Sequence, residues 1–401
     1  MTDPAAAPGI RLAIVLSHPT QYYSPWFRWM RAHAGFELRV FYLWQFGVQP
    51  TRDRQFQATF QWDVDLLSGY EHEFVPNTSA DPGTHHFGGL RNPPLPDRLA
   101  AWRPDAVLLF GYKSSSQLRA LAWARLHRVP VIFRGDSHLL GRGGLPLSTR
   151  IALRLLYSQI AAFAYVGAAN RDYFRGLGVA ERKLFFAPHA VDDTLFDPQR
   201  PEVQSAAAAL RGQLGLAPGT RVVLYAGKLV PAKQPRELLE AFLALRPAHA
   251  ALVFVGEGEE KPALLELARR APAGAVHFLP FANQSEMPSR YALADIFALP
   301  SRGWYETWGL AVNEAMHLGV PALVSDRVGC QRDLVTEGET GWVFRADDPN
   351  HLRERLAAAL GADLAAYRPR VAARIAGYRY AQASAGLARA VAFATHRAVV
   401  A

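Results

Sequence analysis

Short apolar runs alternate along this chain with longer stretches in which apolar positions recur every three to four residues. Residues 11–16, 37–43, 106–110, 130–133, 162–166 and 184–187 read as strands, and amphipathic helical spacing fills several of the gaps between them. Alternation of this kind predicts an α/β chain built on a parallel, helix-covered sheet. From residue 197 to 219 the pattern lapses into proline and alanine, with Pro198, Pro201 and Pro218 around one short helical stretch at 203–214, and a second alternating series starts at Val222. The lapse predicts a linker, 197–218, between an N-terminal domain, 1–196, and a C-terminal one. No internal repeat is present beyond the shared type of sheet.

The densest chemistry lies between Leu299 and Pro321. An apolar strand ends in Leu299, Pro300 and Ser301, and after a short loop the chain reads Glu306-Thr307-Trp308-Gly309-Leu310-Ala-Val-Asn-Glu314-Ala-Met-His-Leu-Gly319-Val-Pro321. The Trp308-Gly309 pair reads as a helix start, whose free backbone N–H groups and positive dipole end suit a phosphate. Helical periodicity carries Glu314 nearly two turns in while Glu306 stays on the loop, so the two carboxylates reach hydroxyls on opposite sides of one anion. A diphosphate flanked by two polyols is a sugar nucleotide. Two glutamates eight positions apart also arise by chance on a solvated helix face, and it is the context that favours the site. About eighty residues upstream, Arg221-Val-Val-Leu-Tyr-Ala-Gly227-Lys228-Leu-Val-Pro-Ala-Lys233 is a buried strand ending in glycine and followed by two lysines, a pair of cations that suits a diphosphate.

Together these segments resemble the retaining glycosyltransferases of family four (glycosyl transferases group 1), and the resemblance covers nearly the whole chain. Gly227-Lys228-Leu with Lys233, the turn Val255-Gly256-Glu257-Gly258, the strand and aromatic loop Val276-His-Phe-Leu-Pro-Phe281, the glutamate block, and Val328-Gly329-Cys330-Gln331-Arg332-Asp333-Leu334 follow the family's order and spacing. Lys228 departs from the usual arginine, keeping the charge and losing the bidentate fork on phosphate, which predicts a change in affinity rather than in chemistry. The resemblance implies the GT-B fold: two Rossmann-like parallel-sheet domains facing a central cleft, the second at 219–376, with 377–401 as a helix crossing back to the first. It also implies transfer of a sugar from a nucleoside-diphosphate sugar to an acceptor hydroxyl with retention at the anomeric carbon, without metal or other cofactor. Lys228, Lys233 and the N–H groups of Trp308, Gly309 and Leu310, with Gly227 and Thr307 beside them, would then neutralise the departing diphosphate. Glu314 would hold the ribose and Glu306 the transferred sugar.

The N-terminal half is expected to supply the acceptor. Its first strand runs into Ser17-His18-Pro19-Thr20-Gln21-Tyr22-Tyr23-Ser24-Pro25, where many relatives have a glycine-rich loop over the diphosphate; without the glycines, Thr20, Gln21 or Tyr22 would reach the donor through side chains. The alternative is a rigid proline-flanked turn capping a helix. Phe133-Arg134-Gly135-Asp136-Ser137-His138 is the second cluster, and the resemblance places His138, or else Asp136, near the sugar's reactive carbon. The plainer reading has Asp136 or Ser137 capping the next helix with Arg134 paired to it. Pro188-His189-Ala190-Val191-Asp192 is similar to the turn that ends the N-terminal domain in relatives and reads as structural. Asp63-Val64-Asp65 looks like a metal-binding pair, yet Gln61-Trp-Asp-Val-Asp-Leu-Leu alternates like a strand and is expected to lie far from the donor domain. His85 and His86, with His72, lack third and fourth ligands at recognisable spacing and read as solvated loop histidines. No Ser-His-Asp or Cys-His arrangement and no Gly-x-x-x-x-Gly-Lys-Ser phosphate loop stands out.

Composition narrows the alternatives. The 401 residues, half of them apolar, suffice for two cores of ordinary domain size. The single cysteine, Cys330, excludes an intramolecular disulfide framework, and the start Met-Thr-Asp-Pro-Ala-Ala-Ala-Pro-Gly has neither a charged n-region nor an apolar h-region, so a cytoplasmic protein is expected. The longest apolar candidate, 151–169, carries Arg154, Ser158 and Gln159 and falls short of the roughly 18 residues of a membrane span. Between Lys113 and Lys183 twelve Lys and Arg face three Asp and Glu, a surplus of nine that equals the net charge of the whole chain. Such basicity suits peripheral contact with an anionic membrane or a diphosphate-linked lipid acceptor, the plainer alternative being a solvated basic surface. Nucleic acid is not expected, because the basic residues are not interleaved with stacking aromatics. The loops at 45–60 and 77–96 have aromatic and histidine content suited to a sugar, lipid or peptide acceptor. Two rival readings remain at this level: a nucleotide-sugar epimerase on the same scaffold, and a catalytically inactive nucleotide-sugar-binding partner subunit.

Overall fold

The computed structural model describes residues 9–49, 51–53, 58–303 and 306–397; the first eight residues and part of the 45–60 loop considered as an acceptor contact lie outside the described residues. The strands, in chain order, are β1 (Ile10–Leu16), β2 (Phe36–Tyr42), β3 (Thr51–Asp53), β4 (Ala58–Phe60), β5 (Glu71–Phe74), β6 (Ala106–Phe110), β7 (Val131–Arg134), β8 (Ala162–Tyr165) and β9 (Leu184–Phe186). There follow β10 (Arg221–Ala226), β11 (Ala250–Val255), β12 (Val276–Leu279), β13 (Ile296–Leu299), β14 (Ala322–Ser325) and β15 (Gly341–Phe344). Seven of them form one parallel sheet in the order β5-β2-β1-β6-β7-β8-β9, and six form a second in the order β12-β11-β10-β13-β14-β15, while β3 and β4 pair as an antiparallel hairpin. The order reverses at β1 and at β10, the doubly wound arrangement that opens a crevice at the carboxyl ends of the strands.

The physical cause is visible in the strand sequences. Ala-Val-Leu-Leu-Phe of β6, Ala-Ala-Leu-Val-Phe-Val of β11 and Ile-Phe-Ala-Leu of β13 are buried at every position, because helices cover both faces of each sheet. Each sheet accordingly carries two apolar clusters, one per face, four in all among the described residues. The proline-rich stretch expected as a linker contains helix Pro201–Gln213, which sets Val203 into the second domain's core, buries Ala207 and packs on helix Met287–Ala292. Helix Tyr380–Thr395 returns to the first sheet, setting Ala383, Leu387 and Val391 into its core, and Trp26 Nε1 donates to Ser384 Oγ at 2.9 Å.

The structure corrects one reading in position. Residues 61–70 form no strand, and Asp63 does not lie far from the second domain: its carboxylate accepts from the Ser285 N–H at 3.1 Å and from the Ser285 hydroxyl. Asn283 completes the contact, donating through Nδ2 to the Gln61 carbonyl at 2.8 Å.

Candidate active site

The described segment 306–309, which leads into the helix after β13, is held in place by backbone contacts. Gly309 takes φ +100° as the N-cap of helix Leu310–His317, a conformation that costs a residue with a Cβ but not glycine. Gly329 lets the next turn press against it, since a Cβ there would fall 1.8 Å from the Thr307 carbonyl oxygen. Cys330 N–H then donates to Trp308 O at 2.8 Å and Gly329 N–H to Glu306 O at 3.1 Å. The buried Trp308 indole donates to Asn313 Oδ1 at 2.8 Å, and Asn313 Nδ2 reaches the His189 carbonyl of the other domain at 3.3 Å. The first N–H groups of the helix have no intrahelical acceptor, and Leu310 and Ala311 line an open cavity.

That cavity, about 370 Å³, is bounded by the strand ends Gly227 and Lys228, by Lys233, by Glu306 and Glu314, and by Gln21 and Tyr22 of the first domain. Lys233 Nζ pairs with Glu306 Oε2, which also accepts from Ser301 Oγ at 2.8 Å; both side chains of the ion pair are largely covered. Glu314 is buried on the second turn of its helix, accepting from Gln284 Nε2 at 3.1 Å and from Tyr291 Oη at 2.7 Å. Burial pushes its carboxyl up to about 7, against the pull of its hydrogen bonds with Tyr291, Gln284 and Tyr22.

The first domain contributes the loop after β7. His138 Nδ1 accepts from Leu140 N–H at 3.0 Å, which leaves the proton on Nε2, directed at the Glu306 carbonyl 3.3 Å away. Burial lowers its pKa, so the ring is neutral. Asp136 Oδ2 accepts from the Thr307 hydroxyl at 2.7 Å, and His189 Nε2 lies 3.7 Å away. Burial alone would raise the Asp136 carboxyl, but His189 and Thr307 outweigh it and hold it at about 2, so Asp136 is a carboxylate at any working pH.

Asp136 and Thr307 line a second cavity as well, about 260 Å³, walled by Tyr112, Lys113, Ser114 and Tyr157 of the first domain. The two cavities therefore meet at one cross-domain hydrogen bond, Thr307 to Asp136.

Of the expected site residues, Lys233, Glu306, Glu314, Lys228, Gly227, Thr307, Trp308, Gly309, Leu310, Gln21, Tyr22 and Asp136 are brought to the larger cavity. His138 stands behind Glu306, both ring nitrogens engaged. Thr20 is not brought to that cavity: its Oγ1 accepts from Tyr23 N–H at 3.2 Å, tying off the turn before helix Tyr23–His33. Neither Asp136 nor Ser137 caps a helix, because the next helix starts at Leu147. Arg134 is buried, donating to the carbonyls of Ala187 and Pro188 at 2.7 and 3.1 Å beneath Trp26. Gln284, Tyr291 and Trp62 are not singled out by sequence reading and reach the site only through the packing of separate segments. His85 and His86 gather round Asp81 rather than His72, with ligand atoms within 4.8 Å of one another on an exposed loop. Among the described residues no helix is long and apolar enough to cross a membrane.

Two doubly wound, parallel-sheet domains facing each other across a shared cleft are the GT-B architecture of glycosyltransferases. The solved structure of Anabaena HepE in complex with UDP and glucose superposes with a TM-score of 0.70 at 17% identity, covering 96% of this chain and 99% of that one. A family model, glycosyl transferases group 1, matches residues 207–374. The D-inositol 3-phosphate glycosyltransferase of Nocardia farcinica is 34% identical over 349 residues, 78% of this chain and 74% of that protein. A GDP-mannose-dependent monoacylated alpha-(1-6)-phosphatidylinositol monomannoside mannosyltransferase of Corynebacterium glutamicum is 31% identical over 234 residues, 56% of this chain and 59% of that protein. The chain belongs to the glycosyl transferases group 1, family four of the glycosyltransferases, and it is a glycosyltransferase.

Proposed function

We propose that this enzyme moves a sugar from a nucleoside-diphosphate sugar in the larger cavity to a hydroxyl of a glycan or lipid-linked acceptor in the smaller one, with retention and without a metal. The observation that carries the reading is the meeting of the two cavities at Asp136 and Thr307, where a transferred sugar would sit between donor and acceptor. Relatives named for inositol 3-phosphate and phosphatidylinositol mannoside substrates support a polyol or glycolipid acceptor.

In this reading the diphosphate lies against Lys228, Lys233 and the first N–H groups of helix Leu310–His317, which stabilise the charge that grows on the leaving group. Glu314 accepts from the ribose hydroxyls and Glu306 from the sugar. His138, a neutral ring whose Nε2 proton points at the Glu306 carbonyl, steadies the loop that carries Glu306 rather than acting as a base. The acceptor proton passes to the departing phosphate oxygen on the same face, and the Asp136 carboxylate faces the positive charge that develops at the anomeric carbon.

The contact of Asp63 with Ser285 and Asn283 closes the cleft on the side where Trp62 lines the donor cavity. Asp63→Ala removes the exposed cross-domain hydrogen bonds to Ser285. It is expected to raise the donor KM about tenfold, one or two bonds of roughly 1 kcal/mol each, with the melting temperature almost unchanged. An unchanged KM would show that closure does not depend on this contact.

The reaction is tested by following the product's anomeric proton by NMR, with chelator present. Transfer with the donor's own anomeric configuration is expected. An inverted product, activity that returns only on adding a divalent ion, or an epimerised donor with no transfer would each overturn the corresponding part of the proposal.

A further inference from the structure

Helix Leu147–Ser158 follows the Asp136–His138 loop and turns only a narrow face inward. Leu153 and Tyr157 are buried, and Tyr157 forms part of the smaller cavity's wall. The other side carries Leu147, Ile151 and Leu155, which are 70%, 52% and 66% exposed. At 100° per residue these three fall within about 80° of arc, roughly opposite the buried pair. Large apolar side chains exposed at i, i+4 and i+8 form a continuous stripe, and such stripes mark interaction surfaces.

The stripe is flanked by charge of one sign. Arg150 and Arg154 lie along one edge, Arg142 precedes the helix, and the helix has no acidic residue. Of the twelve basic residues between Lys113 and Lys183, Arg134 is buried, and Arg171 and Arg175 pair with Glu181; among the described residues Arg150 and Arg154 form no ion pair with an acidic side chain. An isologous pairing of two copies through this face would bring the same arginines together, so charge complementarity disfavours a second copy as the occupant. An anionic bilayer satisfies both features at once, taking the leucines and isoleucine into its interface and the arginines among its headgroups.

We infer that the outer face of helix Leu147–Ser158 docks on an anionic lipid surface and so brings a lipid-linked acceptor to the cavity that Tyr157 walls. This rests on the reading of that cavity as the acceptor site. It makes a peripheral contact specific: a stripe of three apolar side chains beside two arginines, not a diffuse basic surface.

The test is co-sedimentation of the whole chain with vesicles of phosphatidylcholine alone and with about one third phosphatidylglycerol, at low and high salt. Binding to the anionic vesicles alone, weakened by salt, is expected. Ile151→Asp with Leu155→Ser should lower that binding at least tenfold, and Arg150→Gln with Arg154→Gln should remove its preference for anionic lipid. Thermal stabilisation by nucleotide sugars should match the wild type in both double variants. Vesicle binding that is absent, or unaffected by either double variant, overturns the docking surface and leaves the enzymatic reading standing. Stabilisation by no nucleotide sugar, with vesicle binding intact, overturns the enzymatic reading instead. A wild-type dimer in sedimentation that Ile151→Asp converts to a monomer would assign the stripe to a second copy and overturn the proposal.

Discussion

Lys233→Ala is expected to lower kcat/KM for the donor by roughly a thousandfold, the upper range for removing one preorganised group that stabilises developing negative charge. Lys233 sits at the end of a short 3-10 turn after β10, held within reach of Glu306, and its charge faces the cavity that the helix start at Leu310 also faces. A cation there is poised to exchange Glu306 for a diphosphate at little reorganisation cost. The same substitution leaves the Glu306 carboxylate, largely covered, without its ion-pair partner. Because the pair is not fully buried, we discount the cost of breaking a buried pair and expect a loss of about 1–3 kcal/mol of stability. Adding Glu306→Gln to Lys233→Ala should recover much of that stability while recovering no activity. Steady-state kinetics and thermal unfolding on the single and double variants separate the two effects, and a double variant that regained turnover would remove Lys233 from the chemistry.

Glu314→Gln is expected to stabilise the free enzyme and cripple donor binding. The carboxyl titrates at about 7 in the fold against an ordinary value of 4.5, so between those pH values the folded chain holds a proton that the unfolded chain has released. Stability therefore falls as pH rises from about 4.5 to 7, and the penalty is complete above 7, on the order of 3 kcal/mol for a shift of this size. Glutamine keeps the shape and can still bond Tyr291 and Gln284, but carries no charge to desolvate. At pH 8 its melting temperature should exceed the wild type by several degrees, at roughly 2–4 °C per kcal/mol, and the pH dependence over this window should flatten. Donor affinity should meanwhile fall by ten- to a hundredfold, the scale of hydrogen bonds to a charged group. In the wild type, donor binding should tighten as pH rises through 7, because the carboxylate is the form that accepts from ribose. Calorimetry with the donor from pH 5.5 to 8.5 checks both signs, and a less stable glutamine variant would contradict the account.

Why these sites could be read at all follows from the physics of parallel sheets. Strands buried on both faces leave unbroken apolar runs such as those of β6, β11 and β13, and the groups that follow such runs stand at the cleft. Glu314, Lys233 and the Gly309 helix start were legible for that reason. The polar edge strand β5, Glu-His-Glu-Phe, carries no such run and was missed. Residues 61–67 misled in the opposite way: Trp62 turns to the larger cavity, Leu66 is buried and Asp63 binds Ser285, so contacts with different partners imitate the alternation of a strand. Arg134 looked like part of a basic surface and is a buried strut, because only the fold brings the Ala187 and Pro188 carbonyls within its reach. Gln284 and Tyr291 set the state of Glu314, yet their identities carry no signal until separate segments pack together.

The central claim is that Lys233 and the helix start at Leu310 hold the diphosphate of a sugar nucleotide, and thermal unfolding of wild type and Lys233→Ala with UDP-, GDP-, ADP- and TDP-sugars tests it most directly. The account predicts that one base stabilises the wild type by about 2.7 kcal/mol at a hundred times its dissociation constant, and that the same donor at the same concentration gives Lys233→Ala little or nothing. Stabilisation of the wild type by none of the four, or an equal shift in Lys233→Ala, would contradict it.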